Sequence, residues 1–196
     1  MAKLFYQGHG SFRITAADNT VIYVDPYAGD GYDVPADLIL VTHQHGDHNQ
    51  CDLVTKKTDC TIISNHESLK DGVHQSFDIN GIKIQAVQAY NKNHDPKECV
   101  GYIIEVDGNK IYAAGDTSQT VQMKQFAQLE LDYALLPGDG YYNMSVGEAA
   151  ECAQLIQAKH SIPIHLKPGA LFDRETAERF NVKNRIIIEP NEEIEL

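Results

Sequence analysis

The sequence contains no apolar run that approaches the ~20 residues a membrane-spanning helix requires. Its first residues also lack the long apolar region and the cleavage site of a secretory signal. The four cysteines are scattered and form no C-x-x-C pair, which is typical of free thiols in a reducing compartment. We therefore expect a cytoplasmic chain that neither crosses nor binds a membrane.

Basic side chains are also few, since 16 Lys and Arg stand against 28 Asp and Glu, for a formal net charge of −12. They are dispersed along the chain, so the sequence predicts no basic surface for nucleic acid. No G-x-S-x-G motif marks a nucleophilic serine, and no cysteine lies in an evident nucleophile setting. These absences disfavour a nucleic-acid-binding protein and a serine or cysteine hydrolase.

The remaining composition is that of a globular protein, with 42% hydrophobic and 22% charged residues among 196. No linker, repeat or low-complexity segment divides the chain, so we expect one domain spanning residues 1–196. Strands are predicted at 4–7, 11–15, 20–24, 38–42, 60–64, 73–79, 82–88, 100–106, 110–114, 133–136, 161–164 and 185–188. Helices are predicted at 49–58, 65–71 and 120–129, from the Ser145 capping box onward, and at 173–180, followed by an acidic tail at 189–196. This order predicts an α+β class with two packed sheets and leaves several topologies open.

The densest group of chemical side chains follows the predicted strand at 38–42. His43, His45, Asp47 and His48 all lie within the segment 43–48. A strand end followed by a tight loop holds side chains rigidly, as metal coordination requires. Two histidines spaced by two residues point the same way in an extended chain and can share one ion. Gly46 lets the chain turn, so Asp47 and His48 can face a second ion, although a histidine-rich surface loop is the alternative.

Three more candidate ligands are each predicted to follow a strand directly. They are His94, Asp116 and His165. If the strand ends meet at one edge of the sheets, these side chains converge there. Taken singly, each has a structural alternative: a surface or capping histidine, a helix cap, and a core histidine, respectively.

The pattern H-x-H-x-D-H at 43–48, followed by a histidine, an acid and a histidine, resembles the metallo-β-lactamase superfamily of metal-dependent hydrolases. The resemblance spans nearly the whole chain and implies a four-layer αβ/βα sandwich with metals at one edge. It implies two divalent ions, with zinc expected first and manganese or iron as alternatives for donors that are all nitrogen or oxygen. Carried over position by position, the first ion would be bound by His43, His45 and His94, the second by Asp47, His48 and His165, with Asp116 bridging both.

The resemblance also implies a reaction, in which a hydroxide bridging the two metals attacks an ester, lactone or phosphoester of a small molecule. Asp47 would be the catalytic residue that orients the nucleophile and accepts its proton. Asp116 stands where many zinc β-lactamases carry cysteine, which disfavours antibiotic hydrolysis, and His45 stands where flavodiiron proteins carry glutamate. The length and the opening Gly8-His9-Gly10-Ser11 look most like the lactonase-like branch.

Three further residues are expected beside the metals. His9 would contact substrate or a nearby carboxylate, Asp25 would hold a ligating imidazole by its other nitrogen, and Lys167 would meet a substrate anion. Each has a plainer alternative, namely a turn histidine, an Asp-Pro turn and a solvated lysine. The segment 136–144 departs from the more glycine-rich loop of related proteins, so Asp139 and two tyrosines are expected to reshape the pocket.

The expected partner is a small-molecule substrate, and an anionic substrate is one of the options. A nuclease resembling ribonuclease Z shares these ligands but would normally carry a basic arm or exosite, and the sequence has neither. A non-catalytic ligand-binding module on the same fold is the other alternative. The intact ligand set speaks against it, because such a module can lose ligands freely.

Overall fold

The computed structural model describes residues 1–196 and contains fourteen strands and four α-helices. The strands are β1 (Lys3–Gly8), β2 (Ser11–Thr15), β3 (Val21–Val24), β4 (Ala36–Leu40), β5 (Lys56–Ile63), β6 (Leu69–Lys70), β7 (Val73–His74), β8 (Ser76–Ile79), β9 (Ile82–Gln88), β10 (Val100–Val106), β11 (Asn109–Ala113), β12 (Tyr133–Pro137), β13 (His160–Ile164) and β14 (Glu193–Glu195). The helices are α1 (Asn65–Ser68), α2 (Met123–Phe126), α3 (Val146–Ile156) and α4 (Arg174–Arg179), with 3-10 helices at Cys51–Leu53 and Ala127–Leu129.

Twelve of the strands form two six-stranded sheets. Their orders are β14-β1-β2-β3-β4-β5 and β13-β12-β11-β10-β9-β8. Each sheet is antiparallel in one part and parallel in the other, the parallel pairs being β3–β4 and β4–β5 in the first sheet and β11–β12 and β12–β13 in the second. Parallel strands end at the same edge of a sheet, so the residues that follow them are brought together. Two mixed sheets with short helices form the α+β sandwich that the sequence predicts.

The main core lies between the two sheets and contains 25 buried residues from both of them. Strand β9 shows how the sequence produces it, because Ile82, Ile84 and Ala86 are buried while Lys83 and Gln85 are exposed. This period of two places one apolar face of the strand against the opposite sheet.

The outer faces of the two sheets are covered differently. A 17-residue apolar cluster joins the second sheet to α3 and its neighbouring helices. Ser145 caps α3 by accepting a hydrogen bond from the Glu148 amide at 3.2 Å, as predicted, whereas the Glu148 carboxylate accepts from the Gln119 amide instead of closing a capping box. The first sheet carries only a seven-residue cluster beneath residues 32–36 and the 3-10 helix at Cys51–Leu53. Its outer layer is therefore thin.

Three predicted elements were wrong. The helix predicted at 49–58 is a 3-10 helix followed by the first residues of β5, whose largely exposed side chains gave no apolar alternation to reveal an edge strand. The strand predicted at 185–188 is reduced to an isolated bridge between Arg185 and Ser161. The acidic tail forms β14, because its glutamates lie on the exposed side of the strand while Ile194 packs against the core.

None of the helices is both long and apolar enough to cross a membrane.

Candidate metal centre

The parallel strands of both sheets deliver the polar side chains to one place. Asp25 follows β3, the segment 43–48 follows β4, Asp116 follows β11 and His165 follows β13. His94 differs from the prediction, since β9 ends at Gln88 and His94 lies in the loop beyond it. This loop is fixed by an isolated bridge between Asn91 and His94.

Three of the histidines form one group, here called the first triad. The ligand atoms of His43, His45 and His94 all lie within 4.8 Å of one another. His43 Nε2 lies 3.1 Å from His45 Nδ1, so one ring nitrogen of each side chain faces the same point. His43 and His94 are buried, whereas His45 is exposed and marks the open side of the group.

A second group contains four residues, His9, Asp47, His48 and His165, whose donor atoms also lie within 4.8 Å of one another. Asp47, His48 and His165, the three that the sequence proposes as ligands, are here called the second triad. Asp116 lies between the two triads. Its Oδ1 is 3.2 Å from His48 Nε2, while its Oδ2 is 3.2 Å from His94 Nε2 and 3.5 Å from His165 Nε2. The structure therefore brings together all seven residues that the sequence proposed as ligands.

The donor set fits divalent ions. His48 Nε2, His94 Nε2, His165 Nε2 and Asp116 Oδ1 are buried and make no hydrogen bond, although they lie within reach of one another. Buried polar atoms without partners are rare in folded proteins because each costs about 1–3 kcal/mol. A tetrahedral ion with bonds of about 2.0–2.1 Å would hold two of its donors about 3.4 Å apart, close to the separations found here.

Each ligand imidazole has an inner ring nitrogen, which faces the centre, and an outer ring nitrogen, which faces the surrounding protein. Hydrogen bonds to the outer nitrogens orient the rings so that the inner nitrogens can act as ligands. Thr42 Oγ1 donates to Asp25 Oδ2 at 2.7 Å, which leaves its lone pair to accept from His43 Nδ1 at 3.0 Å. His48 Nδ1 donates to Asp25 Oδ2 at 2.9 Å. Because a proton on Nδ1 serves these bonds, Nε2 is the nitrogen that presents a lone pair inward.

The electrostatic environment of the two triads and Asp116 favours positive charge. Burial by itself would raise the pKa of Asp116, but His48 and His165 outweigh burial and hold the pKa well below its ordinary value. Burial would lower the pKa of His165, but Asp116 and Asp139 outweigh it and raise the pKa to about 9. Burial lowers the pKa of His43 to about 2. Buried carboxylates thus stabilise cations here, and divalent ions satisfy the same demand.

The backbone is adapted to this crowding. His9, Asp25 and His165 have positive φ angles of 57°, 47° and 47°, a conformation that only a few per cent of non-glycine residues adopt. Gly10 is required because a Cβ atom there would lie 3.0 Å from His48 Cε1. Gly115, with φ of +63°, would place a Cβ atom 2.9 Å from Thr42 Cβ.

The three supporting residues predicted from the sequence differ in whether they contact the triads. Asp25 contacts the outer nitrogen of His48, as expected. His9 is fully buried, and its Nε2 lies 3.1 Å from Asp47 Oδ2 while its Nδ1 donates to the Ala170 carbonyl oxygen at 3.0 Å. Lys167 is exposed and lies 3.5 Å from Asp173 Oδ2, so no contact joins it to the triads and its substrate role stays a prediction.

Sequence reasoning missed Thr42 and Asn91, and left open what Asp139 does. Asn91 Oδ1 lies 2.9 Å from His94 Nδ1, and Asp139 Oδ2 lies 2.9 Å from His165 Nδ1. A signal for Asp139 was available, because it follows the buried strand β12 just as His165 follows β13.

Residues 3–165 match the family model described as the beta-lactamase superfamily domain. The chain therefore belongs to the beta-lactamase superfamily, and the predicted metallo-β-lactamase fold is confirmed.

Comparison with individual relatives identifies the group within the superfamily that this chain resembles. Over the full length of both chains it is 30% identical to the UPF0173 metal-dependent hydrolase of Thermococcus onnurineus and 31% identical to that of Thermococcus kodakarensis. A solved structure from Parabacteroides distasonis, assigned as a metal-dependent hydrolase, is 31% identical with a TM-score of 0.78, covering 96% of this chain and 92% of that one. Igni18, a metallo hydrolase of Ignicoccus hospitalis, is 22% identical and shares the fold, with a TM-score of 0.76 and coverage of 98% and 97%. At this level the predicted enzyme class, a metal-dependent hydrolase, is confirmed.

Proposed function

We propose that this protein is a binuclear metal-dependent hydrolase that acts on an ester, lactone or phosphoester of a small molecule. The observation that carries the proposal is the convergence of seven donors into two triads joined by Asp116, in which Nε2 of His48, His94 and His165 makes no hydrogen bond. His43, His45 and His94 would hold one ion, Asp47, His48 and His165 the other, and Asp116 both. When bound, the ions would supply a water of pKa about 7 and polarise a carbonyl or phosphoryl oxygen.

Asp47 is the proposed catalytic residue. Its side chain is 34% exposed, whereas that of Asp116 is 4% exposed, so Asp47 is the carboxylate of the group that solvent and substrate can reach. Burial would raise the pKa of Asp47, but the neighbouring His165 and His9 outweigh burial and lower it. An ionised carboxylate can orient a nucleophilic water and accept its proton, while His9 fixes the position of Oδ2.

The metal, the substrate charge and the location follow from the same residues. No cysteine belongs to either triad, so zinc, manganese and iron all suit a donor set of nitrogen and oxygen. Two divalent ions bring four positive charges against the two carboxylates of Asp47 and Asp116, which favours an anionic or carbonyl substrate. We assign the protein to the cytoplasm because its four cysteines are unpaired.

Two histidines at opposite ends of β13 give a matched test. His165 follows the strand and belongs to the second triad, whereas His160 begins the strand and contacts Tyr133, away from the triads. Purified protein reconstituted with zinc or manganese should contain about two ions per chain by elemental analysis. We expect His165→Ala to lose one ion and its hydrolytic activity. We expect His160→Ala to retain two ions per chain and its hydrolytic activity.

The substrate class is tested by a screen of the reconstituted protein across lactones, thioesters, phosphodiesters and phosphomonoesters. Hydrolysis that disappears with a chelator and returns with metal supports the proposal. A chain that binds no transition ion after reconstitution would contradict it. Tight RNA binding at physiological salt, with phosphodiester cleavage, would favour the nuclease alternative instead.

A further inference from the structure

The loop between β12 and α3 is built around one buried carboxylate. The side chain of Asp139 has no exposed surface. Its Oδ1 accepts hydrogen bonds from the backbone amides of Tyr141 at 2.6 Å, Tyr142 at 2.7 Å and Asn143 at 3.2 Å. Its Oδ2 accepts from Asn143 Nδ2 at 3.0 Å and lies 2.9 Å from His165 Nδ1. The same carboxylate therefore fixes the loop and faces a histidine of the second triad.

The loop also reaches the first triad, through Asn91. The Nδ2 atom of Asn91 donates to the Tyr142 carbonyl oxygen at 3.1 Å and to Asn143 Oδ1 at 3.3 Å. Since a carbonyl oxygen can only accept, the amide nitrogen of Asn91 must face the loop. Its Oδ1 must then face His94 Nδ1, 2.9 Å away, and that ring nitrogen must donate. The proton is thus placed on Nδ1, and Nε2 points into the centre.

We propose that Asp139 is a positioning residue for both triads, acting on His165 directly and on His94 through Asn143 and Asn91. The loop that they hold, residues 138–145, thereby couples the two halves of the centre. This inference rests on the proposed metal site and adds to it the residues that set the orientation of one histidine ligand in each triad. The path Asp139–Asn143–Asn91 connects histidines from two separate elements without passing through a metal ligand.

The chemistry of the substitution Asp139→Asn shows why the carboxylate is needed. The asparagine Oδ1 would stay with the loop amides, because these donors need an acceptor. Its Nδ2 would then replace Oδ2, at 3.0 Å from Asn143 Nδ2, which is itself a donor, and 2.9 Å from His165 Nδ1. His165 Nδ1 would lose its carboxylate contact and the loop would shift away from Asn143, so the ring would no longer be held with Nε2 toward the centre. Substitution of a residue that hydrogen-bonds a metal ligand typically lowers the metal affinity by 10–100-fold.

The first test is metal affinity, measured by competition with a chromophoric chelator for Zn(II) or Mn(II). We expect Asp139→Asn to bind at least one ion about tenfold or more weakly than the unmodified chain. Asp173→Asn is the matched control, since Asp173 also accepts from a loop-to-helix amide, that of Thr176, but does not contact the triads. Far-UV circular dichroism of the metal-free proteins shows whether each variant keeps its secondary structure.

A milder variant keeps the test valid if Asp139→Asn does not fold. Asn143→Ala removes the link between Asp139 and Asn91 while leaving both of those side chains in place. We expect a smaller loss of affinity than in Asp139→Asn, in the same direction. Unchanged affinity in both variants, with two ions still bound, would overturn the positioning role and leave the proposed function standing. An unmodified chain that binds no ion would overturn both.

The coupling of the loop to the centre has its own readout. The chain contains no tryptophan, so Tyr142→Trp places a single fluorophore at a half-exposed position of the loop. We expect the emission of the Tyr142→Trp protein to change during titration with Zn(II). We expect no such change in the double variant Tyr142→Trp with Asp139→Asn, even at Zn(II) concentrations that saturate the centre. If the emission of the Tyr142→Trp protein does not change when metal is added, the coupling between the loop and the centre is contradicted.

Discussion

In the proposed metal centre, the orientation of the histidine ligands depends on residues that would supply no ligand atom themselves. Thr42, Asp25 and Asn91 each contact the outer nitrogen of a ligand histidine, and all three contacts are 2.9–3.0 Å long. A buried imidazole has two ring nitrogens, and the one that is hydrogen-bonded outside determines which one faces the metal. Substitution of these outer partners should therefore weaken metal binding without removing a ligand.

Asp25→Asn tests this at a single residue. Asp25 is 2% exposed and accepts from the Thr42 amide, the Thr42 hydroxyl and His48 Nδ1. An amide in its place would direct an N–H at one of these donors. We expect metal affinity to fall about 10–100-fold and the free energy of unfolding to fall by about 1–3 kcal/mol. Chelator competition and denaturant unfolding measure the two effects.

The control for this substitution is Asp37→Asn. Asp37 also accepts a backbone hydrogen bond, from Val21, and pairs with Lys57 at 2.7 Å, but it lies at the other end of β4. Its replacement should change stability by about 1 kcal/mol or less and leave metal affinity unchanged. Equal metal affinity in the Asp25 and Asp37 variants would refute the role given to Asp25.

The individual residues were predictable to different degrees. His43, His45, Asp47 and His48 were evident because their spacing is itself the signal. Asp25 was recognised because it ends a strand next to the motif, whereas nothing in the sequence says that Asn91 turns its amide oxygen toward a histidine. Such contacts depend on loop conformation, which residue order alone does not determine.

At the scale of the elements, the carboxyl ends of the parallel strands determine where the chemistry lies. Alternation made β9 predictable, whereas β10 and β11 were predictable as two apolar runs joined by the turn at 107–109. The first half of edge strand β5 and the whole of edge strand β14 were missed because most of their side chains face solvent. An edge strand is identified by its pairing partner, and pairing is a tertiary property.

Deletion of residues 190–196 tests the contribution of β14. The strand pairs three residues with β1, at Lys3, Leu4 and Phe5, and the Leu196 amide donates to the Ala2 carbonyl oxygen. Removing it breaks several backbone hydrogen bonds and exposes an edge of the first sheet. We expect the free energy of unfolding to fall by about 2–5 kcal/mol, measured with denaturant.

The matched variant for the deletion keeps the strand and removes its charges. Glu193→Gln together with Glu195→Gln leaves the backbone pairing intact and removes the surface pair with Lys3. Its effect should stay below about 1 kcal/mol. If this variant is as unstable as the deletion, charge and not strand pairing stabilises the tail.

An acid-sensitive contact joins the strands of the second sheet. Asp132 lies 2.7 Å from Lys159 Nζ and accepts from the Lys110 amide at 2.8 Å, linking the chain before β12 with β11 and β13. Burial by itself would raise the pKa of Asp132, but Lys159 and the Lys110 amide outweigh it and lower the pKa. A lowered carboxyl pKa contributes stability above the ordinary value of about 4, and this is lost as the pH falls through the folded-state pKa.

We therefore expect Asp132→Asn to be less stable than the unmodified chain near neutral pH, with a difference that shrinks below about pH 4. Denaturant unfolding across the acidic range measures it. The exposed Asp52 provides the control, because Asp52→Asn should leave the pH dependence unchanged. A stability difference that is constant with pH would show that the Asp132 contribution does not depend on its ionisation.

At the scale of the whole molecule, the centre links the two sheets. Each triad combines side chains that follow β4 of the first sheet with one from the second-sheet half of the chain. The chain also carries a formal charge of −12, so the proposed ions would offset the negative charge of Asp47 and of the buried Asp116 within an acidic protein. The folded state alone assembles these donors, so metal binding should stabilise it.

Zn(II) or Mn(II) at about 100 times its dissociation constant should add about 2.7 kcal/mol per site to the stability. For a chain of this size, that raises the midpoint of thermal unfolding by about 5–10 °C for each occupied site. Differential scanning calorimetry with metal and with chelator measures the shift. His165→Ala should show a smaller shift, and an unmodified chain whose midpoint does not respond to metal would speak against a bound ion.

The distribution of donors along the chain also sets an order of events during translation. A ribosome releases His43, His45, Asp47 and His48 early, His94 and Asp116 midway, and His165 only near the end of synthesis. Neither triad is complete within the early segment, so the nascent amino-terminal half presents a partial chelate to the cell. On the proposed ligand assignment, metallation is a late step of biogenesis, and we expect a polypeptide truncated before residue 165 not to form the holoprotein.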